Sequence, residues 1–312
     1  MKFFIVTPSF NQKNYLKLCI ASVADQATGC SPFSASFKQS SPESSLIVHH
    51  HVQDGASTDS TKEFLCEYAS KIEKLKESRG LSNYIFSFES SPDNGMYEAI
   101  NSGWRCADTT VDVVAYLNCD EQYLPNTLRI ISDYFALHAR VDMVFGDALL
   151  TRPDGTLVAF RKGYVPRWQY IATSHLYVFS CTMFLRKRII DAERLFNSEL
   201  KAIADGEFVI RILKKGYQLN HIRRFLSTFT MTGTNLSANE KAVSEAHIAT
   251  KTAPWYFRWL GPLFNISRLI EKALSGAYFA KMPITYSIFT DADVLYRKGF
   301  LAEKASFRWP FQ

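Results

Sequence analysis

The sequence lacks the hydrophobic segments that mark membrane-spanning and secreted proteins. It contains no run of about eighteen apolar residues, the length that a transmembrane helix needs. Only the four apolar residues from Phe3 to Val6 precede Thr7 and Pro8, too few for the apolar part of a secretory signal peptide. We therefore expect a cytoplasmic protein that is soluble or peripherally associated with a membrane.

Cysteine is also scarce, and its spacing fits no metal or disulfide pattern. The 6 cysteines include no Cys-x-x-Cys pair and no histidine at the matching distance. This spacing argues against a structural zinc site and against a disulfide framework. Reduced thiols are the default expectation.

What the sequence does contain is enough apolar material for a large core. Of 312 residues, 47% are hydrophobic and 14% aromatic, which predicts one large domain or one domain with an appendage. The net charge of +6 is uneven, because nine Lys/Arg against four Asp/Glu lie from Lys251 onward. A nearly neutral body with a basic, aromatic tail favours an anionic membrane or a protein partner, and we expect no nucleic-acid partner.

Strands alternate with helices through the first half of the sequence. Apolar runs predict strands at residues 2–7, 46–52, 84–88, 111–117 and 142–145. Helical spacing or helix signals appear at 15–23, 58–78, 96–106 and 125–137, the last with Pro125 in its first turn. The alternation predicts an α/β fold with a Rossmann-like, doubly wound, mostly parallel sheet, which binds ligands beyond the carboxyl ends of its strands.

The pattern changes in the second half. We expect a hairpin over 149–160, a strand-like segment at 181–185, a helix at 205–215 and a mixed segment at 217–231. Beyond Ser237 the sequence predicts mostly helix. The Ser-rich stretch 27–45 is longer than most connections, and we expect a surface insertion there.

Polar segments follow each of the four predicted parallel strands. They are 7–11, 53–59, 91–95 and 118–121. We expect them to meet at one edge of the sheet. The acidic pair Asp120 and Glu121 would repel unless a hard cation neutralised it, and such a cation can bridge a diphosphate. Taken alone, the pair also suits a solvated loop, and Asp54 with Gly55 suits a simple turn.

Five motifs in order carry a resemblance to a known family. They are Thr7-Pro8-Ser9-Phe10-Asn11, Asp54-Gly55-Ala56-Ser57-Thr58-Asp59, Asp93-Asn94-Gly95-Met96-Tyr97-Glu98-Ala99-Ile100-Asn101, Leu117-Asn118-Cys119-Asp120-Glu121 and Ala204-Asp205-Gly206-Glu207. This order resembles the family-2 inverting glycosyltransferases, which have the A-type nucleotide-diphosphate-sugar transferase fold. The similarity spans about residues 1–240, which predicts a catalytic domain with a nucleotide-sugar half (1–122) and an acceptor half (123–240). A helical, basic and aromatic extension follows at 241–312.

The resemblance implies roles for the nucleotide-sugar residues. Thr7, Pro8 and Phe10 would hold the nucleoside, and Asp54 would hydrogen-bond its base, usually uracil. The donor would then be a UDP-sugar.

Further roles follow for the sugar and the metal. Asp93 and Asn101 would lie near the ribose or the sugar. Asp120 and Glu121 stand at the Asp-x-Asp-type motif, whose second position coordinates Mn²⁺ or Mg²⁺ on the diphosphate. Glu121 stands where aspartate is commoner, so the cation geometry could differ.

Asp205 stands where the family keeps its catalytic base. Inversion needs one carboxylate that takes the proton of the acceptor hydroxyl as it attacks the anomeric carbon. A helix N-terminal acid, favoured by the helix dipole, would explain Asp205 alone equally well.

The implied function is transfer of a sugar to a saccharide or lipid-linked acceptor in polysaccharide or glycan biosynthesis. Two alternatives stay open: a sugar-nucleotide nucleotidyltransferase, whose Gly-rich loop is missing after strand one, and a non-catalytic sugar-nucleotide-binding protein. The segment 255–260, with its interleaved aromatic and basic residues, could dock on the inner face of a membrane or pack on the domain. His175 could contact the acceptor or a phosphate, whereas the run His49 to His51 favours a structural strand.

Overall fold

The fold is built on one large curled sheet, seen in a computed structural model that describes residues 1–34, 46–233, 255–290 and 295–308, with residues 255–258 as helix backbone only. The strands are β1 (Lys2–Ser9), β2 (Ile47–Asp54), β3 (Tyr84–Ser90), β4 (Val113–Tyr116), β5 (Glu121–Tyr123), β6 (Met143–Thr151), β7 (Leu157–Arg161), β8 (Phe184–Arg186) and β9 (Leu219–Thr230). The helices are α1 (Lys13–Thr28), α2 (Thr61–Arg79), α3 (Met96–Arg105), α4 (Thr127–Leu137), α5 (Trp168–Thr173), α6 (Lys187–Ala192), α7 (Ala204–Lys214) and α8 (Trp255–Leu274).

The strand order within the sheet is β3-β2-β1-β4-β8-β6-β9-β5, and β7 pairs with β6. The first four strands are parallel. Strand β8 runs antiparallel to both of its neighbours. The carboxyl ends of β1 to β4 therefore lie together at one edge, where ligands bind in sheets of this kind.

Side chains alternate along the central strands and fill two separate cores. Phe3 and Ile5 of β1 pack on one face, in the cluster that α1, α2 and α4 cover. Phe4 and Val6 point to the other face, in the cluster that α3 and α7 cover. Because successive side chains of a strand point to opposite faces, both faces must be apolar when helices cover both. The predicted doubly wound α/β sheet is confirmed.

Two predicted boundaries in this body are wrong. The helix expected from Pro125 begins at Thr127, because Asn126 has a left-handed backbone (φ 65°) that a helix cannot include. The strand-like stretch 181–185 divides into a short 3₁₀ turn, Ser180–Thr182, followed by β8.

The C-terminal part contains the predicted helix and a hairpin that was not predicted. Strands β10 (Ile284–Ile288) and β11 (Lys298–Ala302) pair in an antiparallel two-stranded sheet. The amide of Gln122 exchanges two hydrogen bonds with the main chain of Phe289, at 2.8 and 2.9 Å. Arg297 forms an ion pair with Asp25 of α1 at 2.5 Å. These contacts fasten the hairpin to β5 and α1.

Two other predictions concern the remaining segments. The first residues of the predicted Ser-rich insertion, 27 and 28, belong to α1, and residues 35–45 lie outside the described residues. Within the described ranges, no helix combines the length and the apolar character needed to cross a bilayer.

Candidate active site

A cavity of about 640 Å³ opens at the carboxyl ends of β1 to β4. Residues at or after the end of each of these strands line it: Pro8, Ser9, Phe10, Gly55, Asp93, Gly95, Asn118, Cys119 and Asp120. The predicted convergence of the four polar segments is therefore confirmed. Asp205, at the start of α7, lines the same cavity.

The two loops after β1 and β2 hold each other in place. The amide N–H of Thr58 donates to Asn11 Oδ1 at 2.8 Å, and the N–H of Asn11 donates to Ser57 Oγ at 2.8 Å. A Cβ atom at Gly55 would lie 2.9 Å from Asp93 Oδ2. A larger residue at position 55 would therefore require the Asp93 carboxylate to move.

Asp54 supports these loops from behind the cavity wall. It is fully buried, and it is absent from the cavity lining. Its carboxylate accepts hydrogen bonds from the N–H and the hydroxyl of Ser57, at 3.0 and 2.5 Å, and from the hydroxyl of Ser90 at 2.7 Å. In this arrangement the carboxylate orders the loop, and the expected contact to a base stays a prediction.

Two of the expected donor contacts point away from the cavity. Thr7 is fully buried, and its hydroxyl lies 2.9 Å from His50 Nε2 on the α1 face of the sheet. The side-chain amide of Asn101 donates to the carbonyl of Phe196 at 2.8 Å and accepts from its N–H at 3.0 Å. Because these groups are engaged in the interior, Thr7 and Asn101 do not line the cavity, contrary to the sequence-based assignment.

Pro8, Phe10 and Asp93 do line the cavity. The ring of Phe10 is 62% exposed at its rim, where it could cover a planar base. Burial, followed by the nearby carboxylates of Glu98 and Asp54, raises the pKa of Asp93.

The two acids of the expected metal motif have different environments. Asp120 lines the cavity, whereas Glu121 is fully buried in β5. The N–H of Asn118 donates to Glu121 Oε2 at 2.8 Å, and the hydroxyl of Ser180 donates to Oε1 at 3.0 Å. Burial and then the charge of Asp120 raise the pKa of Glu121 to about 8. Glu121 is absent from the cavity lining although its two hydrogen-bond partners line it, and its assignment as a metal ligand stays a prediction.

Asn118 provides a further oxygen group at the cavity that contains Asp120. Its side-chain oxygen is buried and has no hydrogen-bond partner among the described residues, and both residues line the cavity. Two such oxygen groups suit Mg²⁺ or Mn²⁺ when a diphosphate supplies further ligands. In the described part of the chain, no group of three or more His, Cys, Asp or Glu side chains could hold a metal by itself.

Asp205 is held by two hydrogen bonds at the start of α7. The hydroxyl of Tyr97 donates to its Oδ1 at 3.0 Å, and the N–H of Gly206 donates to the same oxygen at 2.8 Å. Burial raises the pKa of Asp205. A raised pKa strengthens a carboxylate as a proton acceptor, provided that it stays ionised at the working pH.

The cavity also contains residues that the sequence analysis missed. Tyr116 lies in the middle of an apolar run, yet its hydroxyl is buried at the cavity with no hydrogen-bond partner among the described residues. Burial, then the charge of Asp205, holds the pKa of Tyr116 well above its ordinary value. Ser180 lines the cavity from the other half of the chain and had no sequence signal at all.

The histidines among the described residues lie outside this cavity. His49 and His51 both lie within hydrogen-bond distance of Ser87 Oγ, at 2.8 and 2.9 Å, on the face opposite to His50. The structural interpretation of this run is confirmed. His175 lines a second cleft, away from Asp205.

Comparison with known proteins agrees with this architecture. The family model described as glycosyl transferase family 2 matches residues 4–194. No curated protein sequence matches significantly. Among solved structures, TarS of S. aureus superposes with a TM-score of 0.51 at 14% identity, covering 97% of this chain and 60% of that one. The chain thus spans about 60% of the length of that relative.

Two further structures carry ligands. A complex of TarS residues 1–349 with UDP-GlcNAc has a TM-score of 0.51 at 14% identity, covering 96% of this chain and 99% of that one. The mannosyltransferase PcManGT of Pyrobaculum calidifontis, in complex with GDP-Man and Mn²⁺, has a TM-score of 0.51 at 13% identity, covering 89% and 76%. At these identities the likeness shows the fold alone. Since the family model covers more than half of the sequence, the chain belongs to glycosyl transferase family 2.

Proposed function

We propose that the protein is an inverting glycosyltransferase that moves a sugar from a nucleoside-diphosphate sugar to a hydroxyl group of a saccharide or lipid-linked acceptor. The observation that carries the proposal is the shared cavity, whose wall holds both Asp120, after β4, and Asp205, at the start of α7. One carboxylate suits the cation of a leaving diphosphate, and the other suits a hydroxyl proton. Cell-surface polysaccharide or glycan biosynthesis is the setting that we propose.

The donor that we propose is a UDP-sugar. Family membership supports a nucleotide-sugar, and the similar structures carry UDP-GlcNAc or GDP-Man. In this protein Pro8 and Phe10 would contact the nucleoside, while Asp93 would lie near the ribose or the sugar.

The metal in this proposal is Mn²⁺ or Mg²⁺, held by Asp120 and by the side-chain oxygen of Asn118. When bound, the cation would neutralise the charge that grows on the leaving diphosphate. Glu121 would act indirectly, because its hydrogen bond to the N–H of Asn118 fixes the turn that presents both residues.

Asp205 is the proposed catalytic base. It would take the proton from the acceptor hydroxyl while that oxygen bonds to the anomeric carbon. The bond from this carbon to the diphosphate oxygen would break on the opposite face, so the nucleoside diphosphate leaves and the configuration inverts. Tyr97 and Gly206 keep one carboxylate oxygen fixed during this step.

A donor panel tests the proposal. UDP-sugars and GDP-mannose would be incubated with the protein and Mn²⁺ or Mg²⁺, and release of free nucleoside diphosphate would be measured. We expect release with at least one donor and loss of release in excess EDTA. Full activity in EDTA would contradict the metal, and binding of a donor without turnover for any acceptor would favour the non-catalytic alternative.

Two neighbouring substitutions separate the acids. Asp120→Asn should weaken the Mn²⁺-dependent affinity for UDP at least tenfold, because the cation loses its charged ligand. Glu121→Gln keeps the shape of a buried carboxyl group that is absent from the cavity lining, so it should retain most of that affinity. Calorimetry with UDP would measure both. An equal loss in the two variants would return Glu121 to the metal site.

We also propose that α8 docks the enzyme on an anionic membrane that carries the acceptor. The outward face of α8 is apolar, with Trp259, Leu263, Ile266, Ile270 and Leu274 all exposed. Its inward face combines Phe264, which packs on the core, with polar groups: Arg268 is 7% exposed and donates to Tyr164 Oη, and Glu271 pairs with Arg167 at 2.8 Å. An apolar face in water needs a cover. The positive excess from residue 251 onward suits anionic lipid headgroups. The side chains of residues 255–258, part of the predicted docking segment, lie outside the described residues.

A further inference from the structure

Asp205 follows a connection that has no helix or strand of its own. The connection comprises residues 193–203, between α6 and α7, and Asp205 is the second residue of α7. The position of Asp205 therefore depends on how this connection is held. For a group that takes part in a reaction, a misplacement of about 1 Å can lower the rate about a hundredfold.

Asn101 of α3 holds the connection through the main chain of Phe196. Its side-chain amide donates to the carbonyl of Phe196 at 2.8 Å, and its side-chain oxygen accepts from the N–H of the same residue at 3.0 Å. Asn101 is buried and does not line the active-site cavity. Both hydrogen-bonding groups of this side chain are therefore used on one residue of the connection.

The ring of Phe196 packs against the same helix. Its centre lies 5.3 Å from the ring of Tyr97 and 5.0 Å from the ring of Trp104, which both belong to α3. It also lies 5.2 Å from the ring of Phe208 in α7. Phe196 is therefore an apolar contact between α3, the connection and the helix that begins with Asp205.

Tyr97 links α3 to Asp205 directly. Its hydroxyl donates to Asp205 Oδ1 at 3.0 Å. Tyr97 and Asn101 are four residues apart, so their side chains lie on the same face of α3. One face of one helix therefore holds the connection at Phe196 and also the carboxylate to which the connection leads.

Helix α3 begins at a loop that lines the active-site cavity. Asp93 and Gly95 line the cavity, and Met96 is the first residue of α3. Lys201 of the connection donates to the carbonyl of Asn94 in this loop at 2.7 Å. The loop that we propose for the donor and the carboxylate that we propose as the base are therefore attached to the same short helix.

We infer that α3 positions the catalytic base, with Tyr97 and Asn101 as the positioning residues. The inference rests on the proposed function for the role of Asp205 as a base. Tyr97 acts by its hydrogen bond to the carboxylate, and Asn101 acts through Phe196. The inference gives Asn101 a part in the chemical step instead of a contact with the donor.

The hydroxyl of Tyr97 also affects the strength of the base. Burial raises the pKa of Asp205, whereas the N–H of Gly206 and the hydroxyl of Tyr97 lower it by hydrogen bonding to the carboxylate. Among the described residues, the other ionisable side chains on the surrounding elements are Tyr116 of β4, Glu207 of α7, Lys201 of the connection, and Asp93 and Asp120 of the cavity lining. Substitution of Tyr97 leaves all of these in place.

Tyr97→Phe tests the direct link, because it removes one oxygen atom and keeps the ring. Aspartate carboxyl groups would be labelled with ¹³C, and the resonance of Asp205 would be assigned by its loss in Asp205→Asn. Since the ionised carboxylate loses a donor, its titration midpoint should rise by about one pH unit. Tyr68→Phe removes a buried hydroxyl that donates to Tyr84 and should titrate as the wild type does. An unchanged midpoint in Tyr97→Phe would overturn the inference.

The same variant should change the pH dependence of turnover. Release of nucleoside diphosphate would be measured from pH 5 to pH 9 with the donor that the panel identifies. Only ionised Asp205 takes a proton, so the acid limb of the kcat profile should move to higher pH in Tyr97→Phe. The Kd of UDP with Mn²⁺ should stay within about twofold of the wild-type value, because the donor does not depend on this hydroxyl.

Asn101→Ala tests the link through Phe196. Looser placement of the base should lower kcat at least tenfold and leave the KM for the donor within about twofold. Asn220→Ala is a matched control, since Asn220 donates to Tyr134 Oη at 3.0 Å outside the cavity lining, and it should keep both constants. A higher KM with normal kcat in Asn101→Ala would make Asn101 a donor contact and overturn its positioning role. If Asn101→Ala melts early, Tyr97→Phe decides the inference.

The outcomes also separate the inference from the proposed function. If no donor turns over but the midpoint of Asp205 rises in Tyr97→Phe alone, the proposed transfer fails and the control of this carboxylate by α3 stands. If a donor turns over while Tyr97→Phe and Asn101→Ala keep the wild-type kcat and pH profile, the enzyme stands and the inference is overturned.

Discussion

The central sheet and helix α8 place their apolar side chains in opposite ways. In β1, Phe3 to Val6 are fully buried, and the buried carboxylate of Asp54 at the end of β2 is surrounded by hydrogen-bond partners. In α8 most of the described apolar side chains face outward, with Leu274 83% exposed, whereas Arg268 and Phe264 face the protein. The sheet buries its apolar side chains away from water, whereas α8 exposes apolar side chains that would be stabilised by contact with an apolar surface.

The difference teaches that an amphipathic pattern fixes two faces of a helix but not which of them is covered by the protein. In α8 the inward face is chosen by the polar contacts of Arg268 and Glu271. The apolar face is then left for a partner.

The largest effect is expected in the domain built on the central sheet, at Asp205, the proposed catalytic base. Asp205→Asn keeps the shape of the side chain but cannot take a proton, so kcat should fall by a factor on the order of 10² to 10⁴ while UDP still binds. Steady-state kinetics and calorimetry measure the two effects. Glu207→Gln, on the same helix but paired with Arg211 at 2.9 Å, is the matched control and should keep near-normal turnover. Normal turnover in Asp205→Asn would assign the proton to another carboxylate.

A pair of truncations compares the two regions directly. Phe184→Ala removes a fully buried ring from β8 and should lower the free energy of unfolding by about 3 to 5 kcal/mol. Leu274→Ala removes a side chain that is 83% exposed and should change it by less than about 0.5 kcal/mol. Urea titrations would measure both. A large loss in Leu274→Ala would show that α8 packs against the protein more closely than its exposure indicates.

The buried histidines of β2 make the stability of the body depend on pH. Burial, then the charges of His51 and His49, lowers the pKa of His50 from 6.5 to about 3. The unfolded chain therefore binds a proton below pH 6.5 that the folded chain does not, so stability is present above pH 6.5 and is lost as the pH falls. At pH 5 the loss from His50 is about 2 kcal/mol relative to pH 7.5.

Urea titrations at pH 7.5 and pH 5 would detect this loss. His50→Gln should reduce the difference between the two pH values, whatever its effect at pH 7.5. His138→Gln, at the exposed end of α4, should leave the difference as it is in the wild type. If the free energy of unfolding changes equally between pH 7.5 and pH 5 in the wild type and in His50→Gln, His50 is not the cause of the pH dependence.

Substitutions on the outward face of α8 should have the smallest effect on the stability of the protein. Ile266→Ser with Ile270→Ser should weaken binding to phosphatidylglycerol vesicles about tenfold and leave the melting temperature unchanged, because both side chains are exposed. Ala273→Ser is a matched control on the same exposed side. Wild-type binding should also weaken with salt. If the wild type ignores vesicles and the double variant melts early, the helix packs on protein and the membrane proposal is contradicted.

The sequence predicted the sheet and the edge that holds the cavity, because both follow from local patterns. The short apolar runs at 2–7 and 111–117 are typical of central strands, and polar residues follow where each run ends. The order of the motifs also selected Asp120 and Asp205, and the structure places both residues in the lining of one cavity.

The orientation of individual side chains could not be predicted in the same way. Asp120 lines the cavity whereas the adjacent Glu121 is fully buried, and this difference depends on contacts with distant residues such as Ser180 and Phe229. Thr7 is on the α1 face because β1 alternates, and Asn101 is committed to Phe196, which is 95 residues away. Such contacts depend on residues distant in sequence. The position of the β10–β11 hairpin depends on them too, because the residue that follows β10, Phe289, is held by Gln122.

The contacts of the β10–β11 hairpin predict the effect of mutations that truncate the protein. Gln122, beside the acidic pair, and Asp25 of α1 both have partners in the segment that follows β10, namely Phe289 and Arg297. A stop codon or frameshift just after Leu274 would leave the region that the family model matches intact, yet it would strip partners from buried groups next to the cavity. Alleles truncated there should therefore behave as null alleles rather than as mild ones.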